Sequence, residues 1–243
     1  GTVGEIEAGE VVDNSVAIRK EDKKAELDAY ARAKGKDNYT VNAWEAVKTA
    51  VTAGNAAIDA AADIAGVDAA FETAKANIDA VKTIATELGE YKATGKAALE
   101  KYATDKGEAN YTADNWNAIR SAVTAGKSAI DAAADKGAVD KAYDEAVASI
   151  DAVKTVATEL DEYKATGKAA LETYANGKGE ANYTADNWTA IQSAVTAGKS
   201  AIDAAANEAA VDAAYNAAVA NIDAVKTIVQ QLADKKAEVA QSL

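Results

Sequence analysis

Apolar or small residues recur along much of this chain at alternating spacings of three and four. In one stretch the spacing joins Trp116, Ile119, Val123, Gly126, Ile130 and Ala133. In the next it joins Val139, Tyr143, Ala146, Ile150, Val153, Ala157 and Leu160. Such a stripe lies on one face of an α-helix. The alternation of three and four favours helices that pack nearly antiparallel, as in a helical bundle.

The whole pattern repeats without a gap. The tryptophans are Trp44, Trp116 and Trp188, and 116 − 44 = 72 and 188 − 116 = 72. Each copy contains three helical stretches separated by polar segments; in the second copy they cover about 90–103, then begin near Ala113 and near Val139. The sequence therefore predicts an all-α fold of three tandem antiparallel three-helix bundles. Their predicted limits are residues 21–88, 89–160 and 161–232.

The joints between copies contain no proline, and only isolated glycines such as Gly89 and Gly95 interrupt the first of them. A helix tolerates an isolated glycine at a cost of about 1 kcal/mol. We therefore expect continuous helices from near Val67 to Tyr102 and from near Val139 to Tyr174. Such shared helices would join the bundles into an elongated rod. The alternative is a flexible joint at the glycines.

The two ends differ from the repeats. Residues 1–20 contain the β-rich runs Val11-Val12 and Val16-Ala17-Ile18 around an Asp13-Asn14 turn signal. We expect a short β-like segment here, either a remnant of a preceding domain or an ordered arm packed on the first bundle. Residues 233–243 are predicted to form a helical tail or the start of a further repeat.

A seven-residue motif surrounds each tryptophan. NYTADNW occupies Asn110–Trp116 and Asn182–Trp188, and the looser NYTVNAW occupies Asn38–Trp44. We predict that Thr112 caps the following helix, and that Tyr111 and Trp116 form a hydrophobic staple across the cap. Removal of a core tryptophan costs roughly 3–5 kcal/mol. The alternative function for the two rings is an aromatic platform for a sugar.

Composition restricts the chemistry of the chain. It has no His and no Cys, and its net charge is −13. The charge argues against nucleic-acid binding, and no apolar run is long enough for membrane insertion. We expect no catalytic residues, no metal site and no cofactor. Four aspartates recur in the repeats and are interpreted as members of local pairs, such as Asp151 with Lys154, rather than as catalytic groups; they are Asp131, Asp151, Asp203 and Asp223.

The order of Leu-x-x-Tyr, Tyr-Thr-x-x-x-Trp and Val-Asp-x-Ala resembles the FIVAR module ("found in various architectures"). In the second copy the matching stretch runs from Asn110 to Val153. The acid usual two residues before the tryptophan is matched by Asp114 and Asp186 but not by Asn42. The resemblance implies three-helix bundles of large secreted or wall-attached proteins of Gram-positive bacteria, including adhesins and multidomain glycoside hydrolases. It therefore implies an extracellular or cell-surface location.

These features predict a non-catalytic spacer or stalk that projects or separates neighbouring domains of the same polypeptide, and that is itself monomeric. The alternative is an adhesion module that binds a host matrix or plasma protein or a glycan. The best candidates for such a binding surface are Tyr91, Tyr102, Tyr163 and Tyr174. The competing interpretation is that these tyrosines pack between adjacent bundles.

Overall fold

The computed structural model describes residues 13–243, which form α-helices and contain no strand. The all-α prediction is therefore confirmed for this part of the chain. Short 3-10 turns lie at Lys36–Asn38, Glu108–Asn110 and Glu180–Asn182. The α-helices of the described residues are α1 Ser15–Ala33, α2 Val41–Ala60, α3 Ile64–Asp79, α4 Ile84–Asp105, α5 Ala113–Ala132, α6 Lys136–Asp151, α7 Val156–Gly177, α8 Ala185–Asp203, α9 Glu208–Asp223 and α10 Ile228–Ser242.

The β-like prediction is wrong for Val16-Ala17-Ile18, because α1 already includes these residues. The helix begins where the backbone N–H of Ser15 donates to the Asp13 carboxylate (2.9 Å). Val16 packs against the same core as the fully buried Leu27. A separation of eleven residues is about three helical turns, so both side chains share one face of α1. Val11-Val12 lies outside the described residues.

The chain divides into two compact units. Residues 126–144 group with the chain up to Leu99, and residues 100–125 group with the chain from Glu145 onward. The first unit contains the complete helix trio α1–α2–α3, and the second contains the complete trio α7–α8–α9. The helices α4, α5 and α6 of the second copy are each divided between the units.

In the first trio, each helix packs on the other two around one core. The third trio is built in the same way, and its core residues stand 144 positions further along the chain (171 − 27 = 144). Fully buried side chains of the two cores are Leu27, Val47, Ile58, Val67 and Ile78, and Leu171, Ile191, Ile202 and Ile222. The predicted apolar stripe of the second copy is also buried at Ile119, Ile130, Val139 and Ile150.

Glycine lets the helices of each trio approach closely. A Cβ on Gly198 in α8 would lie 2.6 Å from the Ala218 Cβ and 2.6 Å from the Leu171 Cδ2. Gly54 has the corresponding position in the first trio and the same two kinds of neighbour. Since carbon atoms pack at about 3.5–4.0 Å, no side chain fits at these positions. The interior is therefore thin, as the alanine-rich stripe predicts.

The outer helices of a trio run parallel to each other. Arg19 near the start of α1 pairs with Asp68 near the start of α3, and Tyr30 further along α1 donates to Asp79 at the end of α3. In both pairs the two partners are 49 residues apart. Because this separation stays constant along the helices, α1 and α3 run in the same direction. Lys24 contacts Asp59 at the end of α2, while Arg32 at the end of α1 and Trp44 at the start of α2 line one groove, so α2 runs in the opposite direction. The chain consequently enters the trio at one end and leaves it at the other.

The predicted continuous helices are wrong. α3 ends at Asp79 and α4 begins at Ile84; likewise α6 ends at Asp151 and α7 begins at Val156. Each new helix has a threonine N-cap: the Thr155 hydroxyl accepts from the Thr158 N–H (3.1 Å), with extended backbone at Thr155 (φ −75°, ψ 161°). Gly89 and Gly95 both lie inside α4. The break is thus set by a cap, which starts a new helix, and not by the glycines.

Candidate functional site

The repeated motif has the geometry of a capped and stapled helix start. Tyr39 and Trp44 have ring centroids 5.6 Å apart with their planes tilted by 47°, and the other two copies are similar. The Thr40 hydroxyl between them accepts from the Ala43 N–H (3.1 Å). Tyr39 is only 7% exposed, while Trp44 is half-buried on the edge of the core. A tilted pair with one ring buried and the other half-buried favours the staple over a platform, which needs exposed ring faces.

The first residue of the motif closes the end of the preceding helix. The side-chain amide of Asn110 donates to the Lys106 carbonyl (2.9 Å), and Asn38 and Asn182 do the same in their copies. The chain turns at Gly107, whose φ of 81° is favourable only for glycine. This role of the asparagine was not predicted. Its sequence signal is the fixed spacing of three residues from the glycine to the asparagine.

The second asparagine of the motif holds the linker to the next helix. The Asn115 amide nitrogen donates to the Lys154 carbonyl (2.9 Å) and to the Glu159 carboxylate (2.7 Å). Asn187 makes the same bond to the Lys226 carbonyl (2.9 Å). The first copy has Ala43 at this position and cannot make the bond. The motif therefore ties the start of a repeat's middle helix to the residues that leave that repeat.

Each trio contains a tyrosine, an aspartate and a lysine in mutual contact near the exit of the chain. The Tyr102 hydroxyl donates to Asp151 (2.6 Å), and the Lys106 ammonium lies 2.7 Å from the same carboxylate and 4.9 Å from the centroid of the Tyr102 ring. Tyr174 and Tyr30 make the equivalent contacts. The candidate tyrosines thus link two helices of one repeat.

The other two candidate tyrosines form a similar link nearer the start of the repeat. Tyr91 donates to Asp140 (2.6 Å) and Tyr163 donates to Asp212 (2.5 Å). Tyr91 is the most exposed of the four, at 36%. All four hydroxyls are therefore used within their own copy, and packing between adjacent bundles is not needed to explain them.

The electrostatics of these networks follow from the contacts. The Lys106 ammonium, and after it the Tyr102 hydroxyl, hold the pKa of Asp151 below its ordinary value. The Asp151 carboxylate raises the pKa of Tyr102 and of Lys106 in turn. Asp79 and Asp223 have lowered pKa values for the same reasons. Lowered carboxyl pKa values mark stabilising partners and not a general acid, which needs a raised one.

The recurring aspartates do form pairs, but across helices. Asp151 contacts Tyr102 and Lys106 rather than the predicted Lys154, which instead pairs with Glu162 (2.7 Å). The local i,i+3 assignment for Asp151 is therefore wrong. Asp131 pairs with Lys96 (2.7 Å) and Asp203 pairs with Lys168 (2.7 Å). Spacing along one helix could not reveal these partners, because they lie on another helix.

Shallow grooves run beside the tryptophan between the first two helices of the first and third trios. Arg32, Trp44 and Val51 line the first groove, with a volume of about 300 Å³. Trp188 and Val195 line the equivalent groove of the third trio, with a volume of about 230 Å³. These volumes lie at or below the lower limit for small-molecule sites, about 300 Å³.

Two further properties concern residues 13–243 as a whole. Within this range no group of three or more acidic side chains is arranged to hold a metal ion. In the same part of the chain, no helix combines the length and the apolar character needed to cross a membrane.

Comparison with protein-family models found no matching family. Searches among curated proteins and among solved structures gave no significant match either. The resemblance to FIVAR modules therefore stays a prediction that rests on the motif residues of the sequence.

Proposed function

We propose that this chain is a non-catalytic spacer of a large bacterial surface or secreted protein, in which it separates neighbouring domains of the same polypeptide. The observation that carries the proposal is the course of the chain through a helix trio. Because α1 and α3 run parallel, the chain leaves the trio at the end opposite to its entry. The same course recurs in α7 and α9, where Tyr163 pairs with Asp212 and Tyr174 with Asp223. Each of these trios thus separates its entry from its exit by about the length of a helix.

The use of the motif residues supports a structural role. In every copy the first asparagine, the tyrosine, the threonine and the tryptophan are engaged in capping or stapling. The second asparagine secures the linker in the two copies that have it. Because the motif residues have folding roles, each further copy of the motif adds length to the chain and no new active group.

The surface or secreted location comes from the resemblance to FIVAR modules, as does the association with Gram-positive bacteria. An acidic chain with a net charge of −13 suits such a role, because self-repulsion keeps it soluble and monomeric. The alternative of an adhesion module stays a prediction. Its candidate tyrosines have structural partners, so no observation on them favours adhesion over spacing.

The proposal is tested by changing the copy number. One variant carries residues 156–227 twice in succession, and a second variant carries them three times. Small-angle X-ray scattering should give a maximum dimension that rises by a constant increment of about 30 Å per added copy, since a helix of 20 residues is about 30 Å long. A maximum dimension that does not change with copy number would overturn the spacer proposal.

A further inference from the structure

A narrow cleft lies between the first and third helices of the third trio. Its volume is about 190 Å³, and Gly167 and Val211 are among the residues that line it. Tyr163, Tyr215 and Asp212 also line it. A Cβ on Gly167 would approach the Val211 Cγ1 to 3.2 Å. The absence of a side chain at this position is therefore what keeps the cleft open.

In the first trio the equivalent cleft is filled by the chain itself. Lys23 occupies the position of Gly167 (167 − 23 = 144), and Phe71 occupies that of Tyr215 (215 − 71 = 144). The Lys23 ammonium lies 4.4 Å from the centroid of the Phe71 ring and 2.9 Å from the carboxylate of Glu26. Its side chain is only 15% exposed. This part of the fold thus covers the aliphatic stem of a lysine and holds its charge against an aromatic face.

The aspartate at the cleft has a cationic partner in the first trio and none in the third. Asp68 there is paired with both guanidinium nitrogens of Arg19 (2.8 and 2.9 Å). In the third trio Tyr163 replaces Arg19 and donates only to the Oδ1 of Asp212. Among the described residues Asp212 has no cationic partner, so one negative charge is left without compensation at the cleft.

The second copy has the same glycine, aspartate and aromatic residues as the third, but Lys136 lies 5.5 Å from the centroid of the Tyr91 ring, where the third copy has Glu208. Gly95 stands where Gly167 does, and its Cβ would lie 3.3 Å from the Val139 Cγ1. Tyr91 donates to Asp140 (2.6 Å), and Tyr143 has the position of Tyr215. The replacement of both cations, Arg and Lys, by Tyr and Gly therefore occurs twice, and the aspartate and the facing aromatic ring are present in both copies.

We propose that the clefts at Gly167 and Gly95 bind a lysine side chain presented by a basic partner polypeptide. The aliphatic stem lies over the glycine. The ammonium lies between the aspartate and the aromatic face of Tyr215, or of Tyr143 in the second copy. A tyrosine ring attracts a cation within about 6 Å, and the net charge of −13 attracts basic partners generally. The occupant chemistry is the one that the chain itself supplies at Lys23. This interaction adds to the proposed spacer function and does not depend on it.

The test uses nuclear magnetic resonance on the full chain. The probes are the peptide Ac-Ala-Ala-Lys-Ala-Ala-NH2 and its norleucine analogue, which keeps the stem and removes the charge. The lysine peptide should give saturable shifts at Gly167, Tyr215, Gly95 and Tyr143, with about tenfold tighter binding than norleucine, because a cation–π contact and an ion pair are both lost in the analogue. Equal binding of the two peptides, or no saturable shift, would overturn the proposal.

The matched variant is Gly167→Lys, which recreates the first trio, where a lysine is accommodated beside Val67. It should abolish the response at Tyr215 and leave that at Gly95 and Tyr143 intact. A second variant, Asp212→Asn, keeps the cleft open and should weaken binding at the third trio only. Unchanged binding at the third trio in both variants would show that the peptide lies elsewhere and would contradict the proposed site.

Discussion

The side-chain amide of Asn115 donates to the backbone carbonyl of Lys154, 39 residues further along the chain (2.9 Å). This bond joins the start of a repeat's middle helix to the linker by which the chain leaves that repeat. We expect Asn115→Ala to loosen the linker, because the carbonyl loses its partner. Hydrogen–deuterium exchange at residues 155–158 should become faster.

The first copy offers the matched control for this bond. It has Ala43 in place of Asn115, so Ala43→Asn should slow exchange at residues 83–86, which are the cap and the first residues of α4. In the unmodified chain, residues 83–86 should exchange faster than residues 155–158. The same exchange rate at both linkers, before and after these substitutions, would contradict a role for the asparagine.

The threonine caps define where each new helix starts. Thr155→Ala should lower the free energy of unfolding by about 1 kcal/mol, because the hydroxyl satisfies an otherwise unpaired N–H. Thr155→Ser, which keeps the hydroxyl, is the control and should stay close to the unmodified chain. Chemical denaturation followed by circular dichroism measures both. If alanine and serine have the same effect, the cap is not what ends the linker.

The close approach at Gly198 predicts a loss of stability with the smallest added side chain. Gly198→Ala should destabilise the third trio by about 1–3 kcal/mol, since its methyl group overlaps the Ala218 and Leu171 side chains. The control is Gly89→Ala in α4, where the added Cβ meets nothing within 4 Å. That substitution should stabilise the chain by up to about 1 kcal/mol through helix propensity. A lower melting temperature for Gly89→Ala than for Gly198→Ala would contradict this packing.

The tyrosine, aspartate and lysine networks predict a pH dependence at both ends of the scale. Asp151 has a lowered pKa, so its contribution to stability is present above the ordinary carboxyl pKa and is lost as the pH falls through the folded value. Tyr102 and Lys106 have raised pKa values, so their contributions are present below their ordinary pKa values and are lost as the pH rises through the folded ones. The network therefore stabilises the chain between about pH 4 and pH 10.

A pH titration of the carboxyl carbon resonances measures which partner lowers the pKa of Asp151 more. Lys106→Gln should raise the pKa of Asp151 more than Tyr102→Phe does, since the lysine is the larger cause of the shift. Asp223, in the equivalent network of the third copy, should keep its pKa in both variants. A larger effect of the tyrosine, or a simultaneous change at Asp223, would contradict this assignment.

Local patterns in the sequence were enough to predict the helices and the staple. The apolar periodicity of a helix and its N-cap both depend on residues only a few positions apart. The start of α5 at Ala113 and the contact of Tyr111 with Trp116 are therefore predicted correctly. The buried stripe at Ile119 and Ile130 followed from the same period.

The prediction of continuous helices at the joints is wrong because the absence of proline and the tolerance for isolated glycine do not prevent a threonine cap from starting a new helix. Thr83 and Thr155 are preferred N-cap residues at equivalent positions, yet a threonine within an otherwise helical pattern is common and carries little information alone. The partners of Asp151 could not be predicted, because the contact with Tyr102 spans 49 residues and requires the parallel course of two helices. The same limit applies to the bond from Asn115 to Lys154.

The central claim is that each copy carries the chain from one end of a helix trio to the other. The chain has no cysteine, so Val156→Cys and Ile228→Cys place spin labels at the starts of α7 and α10, where both side chains are exposed. Electron–electron double resonance should give a narrow distance distribution centred at about 30 Å, since the length of one helix separates the two sites. A distribution centred below about 15 Å would mean that the chain returns to its entry, and it would contradict the spacer account.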